Sequence, residues 1–417
     1  MLKNKNILVG VTSSIAIYKS LELIREFIKN GANVRVVMSE SSKKFITPLT
    51  FEALTREKVL DKDSESWSND NNHIDIGKWA DIFVIAPATA NTINKLNHGV
   101  ADNLLLQTAL AYTKMIVLAP SANTNMINHN STKASLKMLK LLNYKIVEPI
   151  EKLLACGDKG VGALADIKDI FFATARELLK DEFWINRKVV VSGGGTIEKI
   201  DDVRYISNFS SGKMASHIAT SLYLKGAEVC LVSSRFPITL PSEIYTLEYD
   251  DSEELKDYLT DCIRVAKKGV MTKATLMDDS VPKIVQKTPY LFMVAAVSDY
   301  KPKYPQTGKL KKDNLGDEWD LKLIKNEDIL TSLNKDGIVS IGFKAEMDEK
   351  SGFENAKKAL ENKGIDAICL NYINKHNFGS DKNEITFITK QDEVTFKESD
   401  KQQISFEILN EAMKLDK

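Results

Sequence analysis

The stretch Lys188-Val189-Val190-Val191-Ser192 runs directly into Gly193-Gly194-Gly195-Thr196. After a polar turn it continues Arg204-Tyr205-Ile206-Ser207-Asn208-Phe209-Ser210-Ser211-Gly212-Lys213-Met214. A short β-branched run bounded by glycine reads as a buried strand. A strand feeding a small glycine-rich loop and then a helix is how α/β proteins bring backbone N–H groups to phosphate. The stretch sits near mid-chain, after Trp184-Ile185-Asn186. We therefore read two domains, 1–186 and 187–417, each an α/β, doubly wound, mainly parallel sheet of Rossmann-like or flavodoxin-like type.

Upstream, Ile7-Leu8-Val9, Val34 to Met38, Ile82 to Ala86, Met115 to Leu118 and Lys145-Ile146-Val147 read as strands. Helical patterns separate them, the first with Ile15, Tyr18, Leu21, Ile24 and Ile28 and a stop at Gly31. Ligands of such sheets sit at the carboxyl ends of the strands. The first strand ends in a single glycine, Gly10, followed by the hydroxyls Thr12, Ser13 and Ser14; the second ends in Met38-Ser39. That is no dinucleotide fingerprint. Hydroxyls and N–H groups suit a terminal monophosphate, which favours FMN over NAD, although the same serines would cap a helix. Small and amide residues after the third strand, Ala88, Thr89, Asn91 and Thr92, would admit a flat ring. His73 is a candidate proton carrier. Cys156, followed by Gly157, Gly160 and Gly162, fits a flap that delivers a thiol.

Downstream, Glu228 to Val232, Leu291 to Ala295, Val339 to Phe343 and Ala367 to Leu370 continue the alternation. Polar loops fall where these strands end: Ala295-Ala296 through Asp299, Gly308-Lys309, Lys325-Asn326-Glu327-Asp328 and Phe343-Lys344. Lysines and carboxylates there suit a triphosphate with Mg2+, whereas any single lysine reads as solvated surface. The 57 basic and 57 acidic residues cancel, so nothing in the charge asks for nucleic acid or an anionic membrane. No apolar run has the length of a membrane helix. The four cysteines are scattered, and the cytoplasm is the default location.

Thr12 to Ala16 with Tyr18-Lys19, His73 to Asp81, Ala86 to Thr92 and Ala155-Cys156-Gly157-Asp158 together resemble the flavin-dependent cysteine decarboxylases. Arg204 through Met214 and the later loops resemble a ligase. Joined, they resemble the bifunctional phosphopantothenoylcysteine decarboxylase/phosphopantothenate–cysteine ligase family of coenzyme A synthesis. The resemblance implies a ligase that activates 4′-phosphopantothenate with CTP as an acyl-cytidylate, which cysteine's amine then attacks. It implies that the product's cysteinyl thiol is oxidised at FMN, CO2 is lost, and the enethiol is reduced back. By the same resemblance His73 and Cys156 serve decarboxylation, with Cys156 the proton donor. FMN is bound by Gly10, Thr12, Ser13, Ser14, Ser39, Ala88, Thr89, Asn91 and Thr92, and Asn123 binds the substrate carboxylate. Asn208 and Lys309 are catalytic in ligation, and Arg204 binds substrate. Ala295, Ala296, Asp299, Lys309, Lys325, Asn326, Glu327, Asp328, Phe343, Lys358 and Lys363 bind CTP, Asp299 also meeting Mg2+. The family implies a homo-oligomer with trimeric decarboxylase and dimeric ligase contacts, its flavin sites lying between subunits.

The chain departs from that pattern at Ser121-Ala122, Ala163, Asn72, Gly193-Gly194-Gly195, Glu327 and Met347, and 266–289 reads as an inserted surface loop. Two other readings compete. A nicotinamide oxidoreductase would show the missing phosphate fingerprint. A non-enzymatic flavin-binding regulatory protein would end in an acidic tail and lack a second nucleotide domain.

Overall fold

The structure, a computed structural model, describes residues 1–416 apart from 154–156, 158, 277–280, 312–314 and 375–378, and apart from the side chain of Lys350. It divides into two compact units: Met1–Lys180 with Lys273–Lys283, and Asp181–Thr272 with Ile284–Lys417. Among the described residues no helix is long and apolar enough to cross a membrane.

Unit 1 holds the strands β1 (Asn6–Val11), β2 (Asn33–Met38), β3 (Ile82–Ala88), β4 (Ile116–Pro120) and β5 (Tyr144–Ile146). They form one parallel sheet in the order β2-β1-β3-β4-β5. A parallel sheet covered on both faces calls for unbroken apolar strands, and every residue of β3 and β4 is buried. Gly10 in β1 has a packing reason: a Cβ there would meet the Phe83 ring at 2.9 Å. The first helix is delayed. Ile15–Ile17 form a 3-10 turn capped by Ser14, and the α-helix runs Tyr18–Lys29. A separate hairpin, β6 (Ile150–Leu153) with β7 (Lys159–Ala163), follows β5.

In unit 2, β8 (Lys188–Gly193), the short hairpin β9 (Glu198–Lys199) and β10 (Tyr205–Ile206), β11 (Glu228–Ser233) and β12 (Tyr245–Leu247) come first. Then come the hairpin β13 (Val270–Met271) and β14 (Ile284–Val285), β15 (Tyr290–Met293), and the pair β16 (Tyr300–Pro302) and β17 (Leu323–Lys325). The chain ends with β18 (Val339–Glu346), β19 (Ala367–Tyr372), β20 (Lys382–Thr389) and β21 (Glu393–Asp400). The main sheet is ordered β12-β11-β8-β15-β18-β19-β20-β21. Pairing is parallel from β12 to β19 and antiparallel for the last two strands. Their alternating pattern, seen in the burial of Asn383, Ile385, Phe387 and Ile388, marks a ribbon against the helix Lys401–Ala412.

The described residues of the segment 266–289 are not all irregular, contrary to what its composition suggests. It contains the β13–β14 hairpin, and Leu276 N, in the part that belongs to unit 1, donates to Leu141 O.

Candidate active sites

In unit 1 the chain order reverses between β1 and β3, the place where an open parallel sheet leaves a crevice at its strands' carboxyl ends. A cavity of about 600 Å3 lies there, lined by Ser13, Ser14, Thr89, Asn91 and Asn123, with Lys19, Ser121, Ala122, Lys152 and Ala163. Thr12 stands one hydrogen bond behind its wall. Its Oγ1 donates to Pro87 O at 2.7 Å and accepts from Thr89 N at 3.1 Å, stitching the two strand ends together. Ser14 and Ser121 hydroxyls meet at 3.1 Å. Ala88 O accepts from Ser121 N, and Thr92 N donates to the Thr89 hydroxyl at 3.3 Å. Thr12, Ala88 and Thr92 therefore shape the cavity rather than face it, and Gly10 serves the core against Phe83.

Ser39 follows β2, its N–H bonded to Val11 O, while its buried Oγ has no protein partner. An orphaned buried hydroxyl costs about 1–3 kcal/mol unless a ligand completes it. His73 is not part of the cavity wall. Its Nδ1 lies 3.1 Å from Glu65 Oε1, and the Trp67 ring meets it edge-on at 5.5 Å. Asn72 explains its own presence: its Oδ1 accepts from the Ile74 and Asp75 N–H groups, at 3.0 Å each, and starts the helix Asp75–Trp79. Asn123 likewise caps a helix through Asn125 N at 2.9 Å. Cys156 lies outside the described residues.

In unit 2 the reversal falls between β8 and β15. Ser192 Oγ accepts from Val294 N and Ala295 N at 3.1 and 3.2 Å, turning the chain away from the sheet as β15 ends. A cavity of about 630 Å3 follows, lined by Ala295, Ala296, Asp299, Lys325, Asn326, Glu327, Asp328, Phe343 and Lys363. Asp328 caps the turn Ile329–Ser332 and pairs with Lys363 at 3.0 Å. Burial alone would raise its carboxyl, but Lys363 and the Thr331 N–H outweigh that and hold it below the usual range. Glu327 is drawn to Lys256, 2.8 Å from each oxygen, which lowers its carboxyl. Asn326, expected at the nucleotide, spends its amide on the protein: Nδ2 donates to Ser252 Oγ at 2.9 Å and Ser298 O at 3.1 Å, and Oδ1 accepts from Glu327 N at 3.0 Å.

A second cavity, about 210 Å3, shares Ala295, Ala296, Phe343, Lys344 and Ala345 with the first. Ser210, Ser211 and Gly212 line it at the start of the helix Lys213–Leu224, opposite Lys382 and Lys401. Burial, with Lys213 nearby, pushes the Lys401 ammonium down. The three glycines make room first for the chain itself, and Gly194 also lines this cavity. A Cβ on Gly193 would lie 2.4 Å from Ala215 Cβ, and one on Gly195 2.8 Å from Asn208 O. Gly194 has φ +77° and would put a Cβ 2.2 Å from Ser234 Oγ.

Arg204, expected to hold substrate, makes its contacts here within the protein. Its Nε and Nη2 clasp Asp201 Oδ2 at 3.0 and 2.5 Å, and Nη2 donates to Leu310 O at 2.9 Å. Held by Arg204 first and by three backbone N–H groups, Asp201 lies far below the usual carboxylate range. This latch fixes the turn that carries Lys309, with Gly308 N bonded to Asp202 Oδ2 at 2.7 Å. Lys309, Lys358 and Asn208 are exposed and absent from both cavity walls; Asn208 Nδ2 donates to Val297 O at 3.0 Å, beside the nucleotide loop.

Family models match both halves: Flavoprotein over residues 1–179, and DNA/pantothenate metabolism flavoprotein C-terminal domain over 184–276 and 264–415. The coenzyme A biosynthesis bifunctional protein CoaBC of Bacillus subtilis is 35% identical over 432 aligned positions, covering 100% of this chain and 98% of the relative. This chain belongs to the CoaBC family. The CoaBC protein of Borreliella burgdorferi is 32% identical, covering 98% and 99%. A solved FMN-dependent cysteine decarboxylase, SpaF, matches at 28% identity and a TM-score of 0.37 over 43% of this chain and 99% of its own. Like its CoaBC relatives, the chain is a bifunctional enzyme of coenzyme A biosynthesis, a decarboxylase joined to a ligase.

Within this CoaBC chain, sequence reading missed several cavity residues. Lys382 and Lys401 come from the antiparallel ribbon and last helix, remote from any motif. Ser121 carried a signal, since it stands at a strand's carboxyl end, but it registered only as a departure.

Proposed function

We propose that unit 1 is the FMN-dependent decarboxylase and unit 2 the CTP-dependent ligase, working in that reverse order on one substrate in the cytoplasm. The carrying observation is that each unit has its cavity at its own topological switch point, filled by the residue types its chemistry needs.

In unit 1 the residues fit FMN. Ser13, Ser14 and Ser121 offer hydroxyls, Thr89 and Asn91 offer directional bonds, and Ser39 has an unspent Oγ. When bound, FMN supplies the two-electron oxidation of the cysteinyl thiol that makes its carboxylate a leaving group. Asn123 holds that carboxylate, and Cys156 returns a proton. His73, away from the cavity of its own chain and oriented by Glu65, acts at the flavin site of a neighbouring copy. That matches an oligomer whose flavin sites lie between subunits.

In unit 2 the larger cavity takes CTP and the smaller takes the phosphate end of 4′-phosphopantothenate. There, the Lys213–Leu224 helix start and Lys382 and Lys401 meet its charge. The walls common to both cavities, at Ala295 and Ala296, bring the acyl carboxylate to the α-phosphate. Asn208 steadies the activated acyl group, and Lys309, on the turn latched by Arg204, closes over the phosphates. Lys325, Lys363 and Lys358 balance the triphosphate. Among the described residues no three acidic, histidine or cysteine side chains converge to hold a metal. Asp299 would be the protein's contact for Mg2+, which would neutralise charge on the triphosphate.

Reconstitution with FMN followed by separate assays tests this division. Asn208→Asp is expected to slow amide formation and leave decarboxylation intact. Loss of both reactions, or a protein that takes up no flavin, would overturn it.

A further inference from the structure

Away from both reaction cavities, unit 2 holds two free thiols whose sulfurs lie 3.3 Å apart: Cys230 on β11 and Cys262 on the helix Ser252–Ala266. That is hydrogen-bond contact between sulfurs 32 residues apart in sequence. Both are partly buried, and both line a third cavity, about 460 Å3, with Tyr258, Val265 and Tyr245. Small oxidants can therefore reach them. Cys369, in β19 of the same sheet, is wholly buried and has no such access.

We propose that Cys230 and Cys262 form an oxidisable dithiol site whose closure to a disulfide slows the ligase reaction of unit 2. The shared hydrogen bond favours one thiolate, at Cys262, and pushes the Cys230 thiol up, so the pair has a nucleophile and a resolving partner. With hydrogen peroxide as oxidant, Cys262 sulfur attacks one oxygen. An S–O bond forms, the O–O bond breaks, and the departing hydroxide takes a proton to leave as water. Cys230 sulfur then attacks the sulfenic acid. The S–S bond forms, the S–O bond breaks, and a second water leaves carrying the Cys230 proton. The two thiols lose two electrons and peroxide gains them. Among the described residues no third ligand completes a metal site around the pair, so disulfide formation is the favoured chemistry.

Closure would be felt in the ligase cavity. A disulfide needs its sulfurs about 2.05 Å apart, about 1 Å closer than the 3.3 Å seen here, and the closing strain falls on the helix that carries Cys262. The N-terminal turns of that helix hold the nucleotide loop, through Ser252 to Asn326 at 2.9 Å and Lys256 to Glu327 at 2.8 Å. Displacement by about 1 Å costs up to about a hundredfold in rate.

The inference rests on the ligase reading of unit 2, and the test separates the two. Full-length protein is treated with hydrogen peroxide, the remaining thiols are alkylated, and crosslinked peptides are mapped by mass. CMP release with 4′-phosphopantothenate, cysteine and CTP is measured before and after. The expected result is a Cys230–Cys262 crosslink, a fall of several-fold to about a hundredfold in CMP release, and recovery with dithiothreitol. Cys230→Ser, active when reduced, is expected to lose the peroxide response. Absence of the crosslink, or a crosslink that leaves CMP release unchanged, would overturn the proposal. No CMP release from the untreated enzyme would instead overturn the ligase reading, leaving the crosslink to be judged by mass alone.

Discussion

Replacing Asn326 by leucine asks whether this residue touches the nucleotide or builds the loop that does. Asn326 is 8% exposed and its side chain makes good hydrogen bonds to Ser252, Ser298 and Glu327, with Glu198 at 3.4 Å. Leucine is close in size, so the change removes bonds rather than volume. It leaves the Ser298 carbonyl and the Glu198 carboxylate, on residues 2% and 4% exposed, short of a donor. At about 1–3 kcal/mol for each buried unsatisfied group, unit 2 should lose about 2–5 kcal/mol. For a unit of its size that is a fall of about 5–15 °C in Tm. The assay is thermal unfolding of the apo full-length chain, following the transition of unit 2 separately because two units need not melt together. Ligase activity should fall with it, through the displaced Lys325 and Asp328. An apo Tm equal to wild type, with only the KM for CTP raised, would refute the argument and make Asn326 a direct ligand group.

Ser39→Ala removes a buried hydroxyl without a protein partner. The apo protein should be as stable as wild type or more so, while FMN binds about tenfold to a hundredfold more weakly, the worth of a hydrogen bond to a charged phosphate; fluorescence titration with FMN checks both the loss and its size. Asp328→Asn keeps a helix cap but removes the charge facing Lys363. Because the folded Asp328 carboxyl lies below its unfolded value, its contribution is fully present above the unfolded value and is lost as pH falls through the folded one. Wild type should therefore exceed the variant in stability at neutral pH, with the gap closing below about pH 4; denaturant unfolding across pH measures it, and a constant gap would contradict the ion-pair account.

The doubly wound sheets were legible because unbroken β-branched runs such as Val189-Val190-Val191 and Ile82 to Ala86 have one physical use, as strands buried on both faces. The cavity-lining loops were legible for a related reason: chemistry gathers where such strands end. The roles of individual polar residues were less so. Arg204 reads like a substrate contact, yet the structure gives its guanidinium to Asp201, a partner set by the return of residues 308–310 to the turn. Gly193 to Gly195 read as room for a nucleotide, yet the close approaches are made by Ala215, Ser234 and Asn208. His73 carried a catalytic pattern, yet it stands outside the cavity wall of its own chain, with its Nδ1 against Glu65. Lys382 and Lys401 reach the smaller cavity by folding alone, from an antiparallel ribbon and the helix after it that the βαβ rhythm gives no reason to expect.

The central claim is that one chain performs both steps in sequence. The most direct measurement is mass spectrometry of the products when the FMN-loaded protein is given 4′-phosphopantothenate, cysteine and CTP. The account predicts 4′-phosphopantetheine, with one CMP and one CO2 released for each molecule formed. 4′-Phosphopantothenoylcysteine that accumulates undiminished, or CTP left intact, would contradict it.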